Sequence, residues 1–121
     1  MKPIMLLFLV TSRPNDIERA RLPFELAIGA AQLGQRATIC LTGDAVALLR
    51  ECQGHEMSAS IAQMRSLMHE AEQLGVALCV LLPSGATYDL CREDLLQAAA
   101  RLVTAQDVAK LCIESTRVIA I

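Results

Sequence analysis

The sequence predicts an α/β protein, a three-layer α/β/α sandwich built on a flavodoxin-like, parallel, five-stranded sheet. Three observations carry that expectation. Short apolar runs alternate with segments of helical periodicity. The runs are unbroken where a half-exposed strand would alternate, as befits strands covered on both faces. And the 121 residues, with no repeat, linker or low-complexity stretch, suffice for one domain spanning 1–121 with its own core.

The elements follow in order. "IMLLFLV" (4–10) has the length of a buried strand and ends at the turn residues of "TSRPND". Ile17, Ala20, Phe24, Ala27, Ile28 and Ala31 then recur at helical spacing, and Gly34 marks the stop. Pro23 removes a backbone donor, so the spacing predicts a short first turn near 16–21 and a main helix from about Leu22. "RATICLTGD" (36–44) reads as the second strand and its turn, with Thr42 or Asp44 placed to cap a short helix through about Glu51. Ile61, Met64, Met68, Ala71 and Leu74 form an amphipathic stripe closed by Gly75. "VALCVLL" (76–82) is the third strand. A short helix follows around Asp94, Leu95 and the alanines, then "ARLV" as a short fourth strand. A helix opened by a Thr104 to Asp107 capping box leads to "RVIAI", the fifth.

Composition excludes several function classes. Net charge is −2 and the basic residues are scattered singly, so no nucleic-acid footprint exists. The aromatics are Phe8, Phe24 and Tyr88, too few for base-stacking platforms or for the flanks of a flavin, and no cofactor is expected. Hydrophobic content is 54%, with mean hydropathy +0.42, yet no apolar run approaches the roughly 18 residues of a membrane span. That surplus points to an oligomer interface. "MKPIMLLFLV" passes into "TSRPNDIERAR" without a small-residue cleavage site, and the five cysteines are odd in number and unpaired in spacing. Both features predict a reducing, cytoplasmic setting.

In a parallel sheet ligands lie beyond the carboxyl ends of the strands. Three loops meet there: Thr11, Ser12, Arg13 and Asp16 after the first strand, Thr42, Gly43 and Asp44 after the second, and Ser84, Gly85 and Tyr88 after the third. Ser12, Arg13 and the helix beyond could hold an anion, although the loop has no glycine and Pro14 and Asn15 suit a plain turn. Among the thiols, Cys91 sits at a helix start, where free amides favour thiolate, but Glu93 and Asp94 oppose ionisation, and the residue fills a capping position. Cys40, Cys79 and Cys112 fall inside apolar elements and read as inert core. Cys52, His55 and His69 fall short of a two-pair zinc pattern, so no metal site is expected, and His69 belongs on a solvated helix face beside Glu70 and Glu72.

The string "IMLLFLVTSRPNDIERARLPFELAIGAAQLGQRATICLTGDAVALL", with "LGVALCVLLPSG", "CREDLL" and "RVIAI", resembles the DsrE/F-like sulfur-relay proteins along essentially the whole chain. Its most specific pieces are "DIER" (16–19), "LTGDAVALL" (41–49) and Gly75. The resemblance implies a small cytoplasmic domain that assembles into trimers or hexamers and, in active members, carries persulfide sulfur on a cysteine in the loop after the third strand. Here the corresponding positions, matched without gaps, are Leu81 and Ser84, so no catalytic residue carries over. The expectation is a homo-oligomer that binds a protein or small molecule at the strand-end loops without catalysis. One alternative is a sulfur carrier working through Cys91; another is a phosphate- or nucleotide-binding module.

Overall fold

The computed structural model describes residues 4–11, 17–52, 58–81, 95 and 98–121. Five strands, β1 (Met5–Val10), β2 (Arg36–Leu41), β3 (Ala77–Leu81), β4 (Ala100–Val103) and β5 (Arg117–Ala120), form one sheet in the order β4-β3-β2-β1-β5, every pair parallel. The helices are α1 (Ile17–Gln32), α2 (Ala47–Cys52), α3 (Ala59–Gln73) and α4 (Ala105–Glu114), with a 3-10 turn at Gly43–Val46 leading into α2. From β1 to β4 the strands step in one direction, and α1, α2, α3 and Leu95 lie on one face of the sheet, as right-handed crossovers require. The return from β4 to β5 runs the other way and lays α4 on the opposite face. The expected class and layering hold, and the reversal of strand order sits between β1 and β5, not between the first and third strands as in flavodoxin.

Strand parity divides the core in two. Phe8, Val10, Ala37, Ile39, Leu41, Leu78 and Val80 point to the first face and bury against Ala20, Phe24, Ala27 and Ile28 of α1, Leu48 and Leu49 of α2, and Met64, Met68 and Ala71 of α3. Leu7, Cys40, Cys79 and Val103 point the other way, against Val108, Leu111 and Cys112 of α4. The unbroken apolar runs are explained by this two-sided cover.

One boundary differs from the expectation. α1 runs through Pro23 without a break. The proline withholds one helical hydrogen bond from the Arg19 carbonyl, but its ring is among the most completely buried groups of the chain, and that burial favours continuation. A second difference concerns Thr42. It occupies the capping position of the 3-10 turn, yet its hydroxyl makes no capping bond and donates instead to the Val10 carbonyl at 3.1 Å. β2 ends at Leu41, and Asp44 lies inside the turn. The helix predicted around Asp94 falls mostly outside the described residues; Leu95 is helical, and Ala98 and Ala99 form a turn with Ala99 at φ +53°.

The remaining helix ends follow the chemistry of their residues. Gly34 and Gly75 take φ of +81° and +82°, and the residues after them close the α1 and α3 ends through Gln35 N–H to Ala30 O at 3.0 Å and Val76 N–H to Ala71 O at 2.9 Å. The Thr104 hydroxyl accepts from the Asp107 N–H at 3.2 Å while the Asp107 carboxylate accepts from the Thr104 N–H at 2.9 Å, the predicted capping box. The Thr104 backbone N–H first, and then the Thr104 hydroxyl, hold the Asp107 carboxyl below the ordinary range. α3 is capped by Ser58, whose hydroxyl accepts from the Ile61 N–H at 3.1 Å. Ser58→Ala is expected to lower stability by about 1 kcal/mol, read as a lower urea midpoint at unchanged slope.

Candidate functional site

Because β1, β2 and β3 are neighbours, their carboxyl ends open onto one edge, where the sequence places its three loops. Of the expected ligand-binding residues, Thr11, Thr42, Gly43 and Asp44 are described. Ser12, Arg13, Asp16, Ser84, Gly85, Tyr88 and the thiol candidate Cys91 lie outside the described residues.

The two threonines do the same thing one strand apart. Thr11 donates its N–H to the Ile121 carbonyl at 2.9 Å and its hydroxyl to the same oxygen at 3.3 Å. Thr42 donates its N–H to the Val10 carbonyl at 2.9 Å and its hydroxyl there at 3.1 Å. Each extends the sheet ladder by one rung and spends its hydroxyl proton on backbone. What the two side chains offer a ligand at this edge is thus their oxygen lone pairs, acceptors and not donors. Gly43, at φ +53°, turns the chain from β2 into the 3-10 helix; a side chain there would be strained. Half-buried Asp44 follows it.

Beneath this edge, on the face covered by α4, lies an arrangement that spacing along the chain does not reveal. Leu9, Cys40, Cys79 and Arg101 are register partners on β1, β2, β3 and β4, so they form one row across the sheet. Cys112 of α4 packs on it. Cys40 is 0% and Cys79 2% exposed. Burial first, then the neighbouring Cys79 and Cys112 thiols, pushes the Cys40 pKa up to about 12, which leaves on the order of one thiol in 10⁵ ionised at pH 7. Cys79 is also raised, chiefly by burial, although the positive charge of the Arg101 guanidinium pulls in the other direction. Arg101 itself faces an open groove of about 440 Å³ shared with Val103, Asp107, Lys110 and Glu114. There the Lys110 to Glu114 ion pair, at 4.0 Å and well exposed, contributes little.

Cys40 and Cys79 are buried, as expected of core positions, whereas Cys112, expected there too, is half-buried against the same cluster. Leu81 ends β3 on the face of Cys79, half-buried against that cluster, so an apolar side chain occupies the strand-end position. His69 is exposed on α3. Among the described residues no group of three or more His, Cys, Asp or Glu could hold a metal ion, and no helix is long and apolar enough to cross a membrane.

A parallel α/β sheet whose strand ends share one edge, with a thiol row behind α4, defines a class of small sandwich domains. Comparison with known proteins narrows it. The sequence matches the DsrE/DsrF-like family over residues 5–121, and the chain belongs to that family. Its fold is similar to that of the crystal structure of the YchN protein from E. coli, with TM-score 0.74, 16% identity and 100% of each chain covered. It is similar also to a conserved protein of unknown function, BT1422, from Bacteroides thetaiotaomicron, with TM-score 0.73 and 14% identity over 97% of this chain and 94% of the other. At such identities the likeness concerns the fold alone. No curated protein matches the sequence.

Proposed function

We propose that this chain is a binding or assembly member of the sulfur-relay family, cytoplasmic and homo-oligomeric as a trimer or hexamer, that presents its strand-end loops to a small ligand or protein without itself carrying sulfur. One observation carries the reading. The thiols nearest the strand ends, Cys40 and Cys79, are shut between the sheet and α4 with raised pKa values, while the last position of β3 is Leu81. Sulfur transfer needs an accessible thiolate to attack the donor and to release its cargo by exchange. Neither of these thiols meets that need. The apolar surplus of the composition supports assembly.

The competing reading, a carrier using Cys91, makes an opposite prediction. Native protein exposed briefly to a sulfane-sulfur donor is expected to show no mass addition, with the thiols becoming modifiable only after unfolding. Additions of about 32 Da per sulfur that vanish in Cys91→Ser would establish the carrier and overturn the binding reading. An anion-binding role is tested by stabilisation with millimolar phosphate. A rise in the melting temperature that is lost in Arg13→Ala would assign the first loop to it.

A further inference from the structure

Leu22, Leu26, Gly29 and Leu33 follow one another at intervals of four, three and four along the outward side of α1. Their exposure is substantial: 43% for Leu22, 44% for Leu26 and 79% for Leu33. Leu33 lies just past the helix end yet keeps its phase, since its N–H donates to the Gly29 carbonyl at 3.1 Å. Such alternation of three and four is the spacing by which helices pack side by side at a shallow angle. Polar groups border the stripe, with Arg21 and Glu25 paired at 3.2 Å on one helical turn and Gln32 exposed on the next.

Gly29 is the second observation. A glycine inside a helix destabilises it relative to alanine, a cost that a close packing contact can offset. Within the chain there is none: among the described residues a Cβ built on Gly29 meets no atom within 4 Å, and Gly29 is not among the glycines of positive φ. The hole is open toward the outside.

We propose that α1 is a self-complementary seam through which two copies of this chain pair antiparallel, each Leu26 seated on the partner's Gly29 and each Leu22 against the partner's Leu33. The stripe has the required symmetry. About a centre between Ala27 and Ile28, position 22 maps onto 33 and position 26 onto 29, so a twofold axis sets every large side chain against either a large one or the hole. A parallel pairing would set the two glycines against each other and leave a void. The contact is isologous and closes on itself, which requires an even number of copies. It spans about 16 Å of helix, too little for a stable interface alone, so it joins copies also held by other surfaces. The seam rests on the assembly half of the function proposed above and not on its binding half.

The test mixes Leu22→Cys with Leu33→Cys under mild oxidation by diamide, each variant alone and the wild type serving as controls for the native thiols. A covalent dimer confined to the mixture, with peptides linked between positions 22 and 33, is the expected result. An oligomer by native mass spectrometry that gives no such link, or gives as much in either variant alone, overturns the seam and leaves assembly standing. A monomer, or an odd-numbered oligomer, overturns the seam, and the monomer overturns assembly as well. Gly29→Leu adds an independent reading. Its side chain has room within one copy, so the folded protomer should persist while dissociation into protomers becomes at least about tenfold easier; unchanged association would refute the seam.

Discussion

Truncation of Phe8 to alanine is expected to cost about 3–5 kcal/mol, a large part of the roughly 5–15 kcal/mol that holds a domain of this size together. Phe8 is 1% exposed, pairs in register with Ile39 on β2 and Ile119 on β5, and sits in the cluster that includes Phe24 and Met64. The loss has two parts: the apolar surface of the ring is no longer withdrawn from water, and the sheet and α1, α2 and α3 cannot close the space it leaves. Phe24, itself fully buried in the same cluster, cannot refill so large a volume without vacating its own place. Urea unfolding reads the effect as a fall in midpoint at unchanged slope. Ile113→Ala provides the contrast: at 83% exposure it should move stability by no more than about 0.5 kcal/mol. Equal effects of the two substitutions would mean that the first-face core is not organised around β1.

The same two-sided burial explains which parts of the molecule could be read from the chain. "IMLLFLV" and "ATICL" announce buried strands because, Thr38 apart, every residue in them is apolar. The Thr104 box was legible because both partners of its reciprocal bonds are visible three residues apart. Ser58 was not, since the third residue of its helix is Ile61 and no acidic partner marks the cap. Pro23 misplaced a boundary because local propensity is overridden by tertiary packing of the ring, a contact that the residue's own neighbourhood does not encode.

The site divides along the same line. Strand periodicity fixes which face a residue takes, so Cys40 and Cys79 could be assigned to the interior. It does not fix the row, and only strand register places the two thiols side by side with Arg101 next to them. Register depends on how distant segments pair, and no single segment contains it. The leucine stripe of α1 shows the reverse case. Its spacing is plain in the sequence, but the inward face of the same helix is equally periodic, and the structure decides which of the two is covered.

The thiol row carries the second large effect, a loss of stability in alkali. Folded Cys40 keeps its proton up to about pH 12, whereas an unfolded thiol releases it near its ordinary value of 9.0. Below that lower value both states are protonated and the stabilisation is fully present. Between the two values the unfolded chain releases a proton that the folded chain retains, so the unfolded state binds fewer protons and stability falls as pH rises, at a limiting slope of about 1.4 kcal/mol per pH unit. Across the window the loss amounts to about 4 kcal/mol, and Cys79, shifted in the same direction, adds to it. Other groups titrate in this range, so the comparison is between the wild type and Cys40→Ala, each unfolded in urea from about pH 8 to pH 11. The two stability curves should converge as pH rises, because the variant has no thiolate to gain on unfolding. Parallel curves would mean that Cys40 ionises as easily folded as unfolded. Its burial would then be no barrier to chemistry, and the thiol row would return as a candidate for sulfur transfer.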